Sequence, residues 1–130
     1  MRGAPGMQAV RTWRIASWIA VAVWASVIFW FSSLTGSQVP GRYGSLGHFG
    51  EYAIFGALIL LALETPARLL PAVALASAYG ITDEVHQLFV SGRQADPVDW
   101  LVDTLGALVG AVVLGWLWRR ILAGKADGRP

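Results

Sequence analysis

The sequence predicts an all-α, polytopic membrane protein, a four-transmembrane-helix bundle. Three observations carry that expectation. Hydrophobic residues make up 55% of the 130 positions and charged ones only 14%, which is too apolar for an ordinary soluble domain. The apolar residues fall into four runs, each close to the ~20 residues that cross ~30 Å of hydrocarbon. The basic residues flank these runs instead of interrupting them, as they do beside membrane spans. The length suits a single domain, divided into an N-terminal tail at 1–11, the membrane domain at 12–120 and a C-terminal tail at 121–130. The chain has no cysteine, so no disulfide framework and no thiol chemistry are expected. The pI is near 9.5, but the cations sit at span ends and not in one patch, which excludes nucleic acid as a partner.

The first span covers residues 12–31, WRIASWIAVAVWASVIFWF after the leading threonine. Arg11 and Arg14 at its start imitate a signal peptide. The run is longer than a signal core, however, and SSLTGSQ offers no small-x-small cleavage site, so the helix is expected to be retained. The second span covers 46–63 and ends at Glu64-Thr65-Pro66. Thr65 can cap the next helix, with Pro66 at a first position that needs no backbone N–H. The third span then covers 66–89, and SGRQ forms a loop. Asp96-Pro97 repeats the cap-then-proline arrangement and opens the fourth span. That span reaches about residue 118, where Arg119 and Arg120 mark a membrane surface. Both tails read as short and mobile.

Orientation follows from the ten Lys and Arg. With four spans, Arg2, Arg11, Arg14, Arg68, Arg119, Arg120, Lys125 and Arg129 fall on one side, and Arg42 and Arg93 on the other. The positive-inside rule places both termini in the cytoplasm. Trp13, Trp116 and Trp118 then suit an inner aromatic belt, Trp30 and Trp100 an outer one, and the remaining tryptophans lipid-facing anchors. Of the eight acids, Glu51, Asp83, Glu84, Asp96, Asp99 and Asp103 fall at the outer end. Ionisable groups in a span cost at least ~2.5 kcal/mol each at its centre, so a cluster of them points to pairing, water or chemistry.

Helical phase suggests that these groups converge. His48, Glu51, Tyr52 and Phe55 are three and four apart and share a face. Asp83, His86 and Gln87 share another, with Glu84 one position off. Asp99, Asp103, Gly106 and Gly110 form a stripe whose G-x-x-x-G end permits close helix approach, so the carboxylates of that stripe are expected to face inward.

The segments HFGEYAIFG and TDEVHQLFVSGRQADPVDWLVDTLGALVG, with the four-helix layout, resemble the VanZ-like family of bacterial membrane proteins over about residues 31–113. The most specific part is the ordered set Asp83, Glu84, Gln87 and Arg93, followed by Asp99, Asp103 and Gly106. Two positions depart from the family pattern. Ser45 stands where many members carry a lysine, so no cation role is carried over there, and Asp103 stands where asparagine is frequent. The resemblance implies a bacterial cytoplasmic membrane protein. The family's founding member is associated with low-level resistance to teicoplanin, which acts outside the cell on peptidoglycan precursors. A lipid-linked cell-wall precursor or a glycopeptide is the partner this implies, beside membrane lipid itself.

Each polar residue also has a plainer role. Asp96 is most simply an N-cap, and Asp99 a first-turn acid favourable near the helix dipole. Asp103 lies too deep for capping and needs a buried partner, Arg93 or His48. Arg93 suits a structural counter-ion or an anion clamp. His48 suits a donor to a carboxylate, a general base or a metal ligand. His86 suits the outer surface, Tyr52 a belt aromatic or hydrogen-bonding plug, and Gln87 an interhelical hydrogen bond. Ser91 has no base arranged beside it. Histidine and carboxylates are of the types that bind a divalent cation, but no H-E-x-x-H or similar spacing occurs, so no metal is assigned and no cofactor is expected.

Three function classes remain open. An envelope accessory or binding protein would use Tyr52, Gln87, Arg93, Asp99 and Asp103 to hold a ligand. A membrane-embedded enzyme on a lipid-linked substrate would draw its acid and base from His48, Glu51, Asp83 and Glu84. A purely structural bundle would use the same groups as a polar plug. A bundle of this length is small, and homodimerisation is compatible with it.

Overall fold

The computed structural model describes residues 5–39 and 44–126, all of them in helices or their connections. Arg42, expected on the outer side, lies outside the described residues, as do Arg2 and Arg129. Four α-helices follow in order: α1 Pro5–Ser32, α2 Gly44–Ala62, α3 Leu69–Gln87 and α4 Pro97–Ala126. A single 3₁₀ turn, Pro66–Arg68, leads into α3. The end of α1, the start of α2, the end of α3 and the start of α4 meet at one end of the bundle. At the opposite end Arg14 of α1 reaches Glu64 after α2 at 3.5 Å. The helices therefore run alternately up and down.

Three segments are long and apolar enough to cross a membrane, Ala9–Ser32, Gly44–Ala62 and Pro97–Ala126. Helix α3, also expected to span, has 19 residues, about 28 Å at 1.5 Å per residue. Its last turns carry Asp83, Glu84, His86 and Gln87, which dilute its apolar character. More large hydrophobic side chains are exposed than buried, among them Trp13, Val23, Phe29, Leu101, Val113 and Leu117. A soluble monomer rarely presents so much continuous apolar surface. An apolar exterior around a thin core is what a lipid-facing bundle needs.

Both outer helices exceed the expected spans. Helix α1 begins at Pro5, before residue 12, and α4 continues past Arg119 and Arg120 to Ala126. Arginine and lysine are good helix formers, so charges that mark a membrane surface need not end a helix. The capping expectations describe the local geometry well. The Thr65 hydroxyl accepts from Ala67 N–H at 3.3 Å, and Asp96 Oδ1 accepts from Val98 N–H at 2.8 Å.

The most extensive interface joins α2 and α4. It is built from small residues. A Cβ on Gly106 would overlap the carbonyl oxygen of Phe49, one on Gly110 that of Ala53, and one on Gly56 that of Ala107. The backbones thus touch directly, and dispersion contacts between them replace a hydrophobic driving force that lipid does not supply. Buried Ala72, Ala76 and Gly80 give α3 a matching small-residue face. Helix α1 is held partly by side-chain hydrogen bonds. Trp24 Nε1 donates to the Glu51 carbonyl at 2.9 Å, and the Tyr79 hydroxyl donates to the Ala25 carbonyl at 2.8 Å. Trp24 is therefore half-buried and not a lipid-facing anchor. Trp100 likewise turns inward, its indole N–H 3.1 Å from Ser77 Oγ, because burying an indole requires a partner for its N–H.

The loops at the polar end are tied together. Gly36 N–H donates to the Ser91 carbonyl at 3.1 Å. Gly92 has φ +73° and lies against Gly36, where a Cβ on Gly36 would overlap the Gly92 carbonyl. The left-handed backbone at Gly92 is open to glycine without a Cβ penalty.

Candidate functional site

His48 lies one turn into α2 and Asp103 nearly two turns into α4. Their meeting depends on the backbone contact made by Gly106. His48 Nδ1 and Asp103 Oδ1 are 2.9 Å apart. His48 is 7% exposed and Asp103 fully buried. Of the two partners open to Asp103 from the sequence, His48 is the one it meets.

Helix α3 contributes Asp83, Glu84 and Gln87, all buried, while His86 is only half-buried. Helical spacing put His86 on the face of Asp83 and Gln87, with Glu84 one position off but adjoining Gln87; the buried face holds Asp83, Glu84 and Gln87, and His86 lies at its edge. His86 instead turns toward α1, where its Nε2 lies 3.1 Å from Ser33 Oγ and its ring centroid 4.5 Å from that of Phe29. Glu84 Oε2 accepts from the Asp96 N–H at 2.7 Å, so an α3 carboxylate binds the first residue of the α4 cap. With four polar residues in five positions, periodicity alone cannot choose the inward face.

His48, Asp83, Glu84 and Asp103 each offer a nitrogen or carboxylate oxygen, and these atoms lie within 4.8 Å of one another. The set draws on three helices, so no local spacing announces it. Tyr52 and Gln87 complete the buried polar interior, at 0% and 2% exposure. Asp103 Oδ2 and the Tyr52 ring edge lie over the same spot on α3, 3.4 and 3.5 Å from where a Cβ on Gly80 would stand. Several polar atoms here have no hydrogen-bond partner: Tyr52 OH, Glu84 Oε1, Gln87 Nε2 and Asp103 Oδ2.

Beside this cluster is a cavity of about 230 Å³. His48, Glu51, Asp83 and Arg93 line its polar side, and Phe31, Leu34 and Val39 its apolar side. Arg93 was expected to pair with the carboxylates. Among the described residues the ion pairs are Arg14–Glu64 and His48–Asp103, and Arg93 Nε is buried without a partner. The Arg93 backbone is held in the loop by a bond to the Val90 carbonyl at 3.1 Å, and its side chain lines the cavity with Glu51 and Asp83. Asp99 stands apart from the buried set, half-buried, accepting from the Ser45 hydroxyl at 3.2 Å. Asp96 serves the cap. The candidate residues thus form a buried tetrad whose His48 and Asp83 also line the cavity, with Glu51 and Arg93 on the cavity wall and Asp99 half-buried outside it.

Chemically, the arrangement offers an acceptor-rich buried centre, and next to it a cavity with acids, a guanidinium and an apolar wall. The family model described as VanZ/LLP1 matches residues 10–119. No curated protein and no solved structure matches the chain.

Proposed function

Because the chain belongs to the VanZ/LLP1 family, we propose that it is a VanZ-like accessory protein of the bacterial cell envelope that binds the headgroup of an envelope precursor. In this reading it crosses the cytoplasmic membrane four times with both termini inside, so the acid-rich end opens outward. Eight of ten Lys and Arg then lie inside, which supports that orientation.

The observation that carries the reading is the cavity. It sets Arg93 against Glu51 and Asp83 beside Phe31, Leu34 and Val39, which suits a ligand with both charged and apolar parts. Its volume, about 230 Å³, compares with ~30 Å³ for a water in the liquid and ~300–1,000 Å³ for a drug-sized pocket. A sugar ring, a phosphate or a peptide terminus fits; a whole glycopeptide does not. The ligand is therefore the precursor's headgroup, and protection against teicoplanin-type antibiotics follows from occupying their target. Two measurements test this: teicoplanin susceptibility of a sensitive bacterium expressing the protein, and binding of lipid-linked precursor to protein in detergent. Loss of both in Glu51→Gln and Arg93→Ala at unchanged membrane levels is the expected result. Equal binding and susceptibility in all variants would overturn the reading.

The His48–Asp103 contact favours a second reading, acid–base chemistry on the same lipid-linked substrate. A carboxylate that orients an imidazole is the arrangement a general base uses. A mass change in the precursor that disappears with His48→Gln would select it.

A further inference from the structure

We propose that His48, Asp83, Glu84 and Asp103 form a binding site for one divalent metal cation, of the zinc or manganese class. Two members of the tetrad, His48 and Asp83, also line the cavity, so the test is run with no ligand in that cavity.

Geometry comes first. The four donor atoms lie within 4.8 Å of one another. Metal bonds of ~2.0–2.2 Å place the donors of a tetrahedral ion ~3.3–3.6 Å apart. Side-chain rotation that draws the outermost donors inward by roughly 1 Å completes the shell. Burial comes second. All four residues are at most 7% exposed, so water does not screen three carboxylates crowded onto one imidazole. Arg93, the nearby permanent cation, forms no ion pair with them among the described residues. Burying carboxylates without a counter-charge is costly, and a dication supplies that charge at the point where the oxygens converge.

An independent observation points the same way. Asp103 is fully buried, and its Oδ2 has no partner, nor has Glu84 Oε1. Buried polar atoms are as a rule satisfied. Here two acceptors on the tetrad's carboxylates are left open, and a cation bound by the tetrad satisfies both at once. His48 Nδ1 and Asp103 Oδ1 already stand 2.9 Å apart, near the spacing of two donors on one ion, so the metal takes the place of the proton between them. The Asp96 N–H holds the other Glu84 oxygen at 2.7 Å. One nitrogen and three oxygens without a thiolate match zinc or manganese better than calcium, which prefers six to eight oxygens.

The test uses the full chain in detergent, stripped with a chelator and dialysed against Zn²⁺ or Mn²⁺ without lipid-linked precursor or antibiotic. Bound metal is measured by elemental mass spectrometry and thermal stability in parallel. The expected result is about one ion per chain, with a higher Tm in metal than in chelator. Glu84→Gln and Asp103→Asn should each weaken binding by at least the ~10–100-fold that supporting groups contribute, while Glu64→Gln, beside Arg14 at the opposite end of the bundle, leaves it unchanged. Folding of each variant is checked by circular dichroism, and the wild-type measurement stands whether or not they fold. Wild-type protein that takes up no metal and gains no Tm overturns the proposal and shows a cluster held by shared protons. Folded tetrad variants that bind metal as tightly as wild type overturn it equally. Metal uptake together with absent precursor binding leaves this proposal intact and removes only the headgroup reading.

Discussion

His48 and Asp103 close the α2–α4 interface with a 2.9 Å contact between Nδ1 and Oδ1, and neither side chain is more than 8% exposed. Removing one partner of a buried pair typically costs ~3–5 kcal/mol, because the other is left uncompensated. Asp103→Ala and His48→Ala should each lose stability on that scale in denaturant titrations of the detergent-solubilised protein. Arg14→Ala, at the exposed pair with Glu64, should cost no more than ~1 kcal/mol. If the two pairs prove equal, the polar core does not hold the helices together.

Gly106 and Gly110 set the approach of α4 to α2. Alanine at either position would drive its Cβ into a carbonyl oxygen of Phe49 or Ala53. Overpacking of this kind costs ~1–3 kcal/mol. Gly47 and Gly50 meet nothing within 4 Å, and alanine there should leave stability unchanged or raise it by up to ~1 kcal/mol through helix propensity. Thermal unfolding of the four alanine variants separates the two groups.

Arg93→Ala should lower Tm little, by the equivalent of ~0–1 kcal/mol, since no acid loses an ion-pair partner. Its effect should appear in precursor binding and teicoplanin susceptibility instead. A large stability loss would mean that Arg93 pairs with a carboxylate after all.

Ser45 faces Asp99 across 3.2 Å. Ser45→Lys restores a cation at a position where VanZ-like proteins often carry one. It should be tolerated and stabilise by no more than ~1 kcal/mol at low salt, with the gain lost in high salt. Thermal melts at two ionic strengths decide this.

Reporter fusions at both termini should be active only in the cytoplasm. An external C-terminus would move the cavity to the inner side and remove its access to envelope precursors.

Much of this architecture was legible in the residues. Thr65 and Asp96 announced their caps because capping is local. The Gly106–Gly110 stripe announced a close interface because spacing of four places both on one face. What could not be read depends on three helices at once. Asp103 called for a partner, but only packing chose His48 over Arg93. Spacing alone put His86 on the face of Asp83 and Gln87, and only packing against α1 turned it to Ser33 and Phe29. Trp24 looked like a lipid anchor until the Glu51 carbonyl was placed beside it. The tetrad had no linear spacing to betray it, since its donors lie on α2, α3 and α4.

The bond from Gly36 N–H to the Ser91 carbonyl, and the close fit of Gly36 to Gly92, make the two loops at the polar end share one joint. Surface loops usually accept insertions freely. Here an added residue in either one would pull the other out of register and unroof the cavity wall at Leu34 and Arg93. Across the family, the lengths of these two connections should therefore evolve in step, each insertion in one answered by a change in the other.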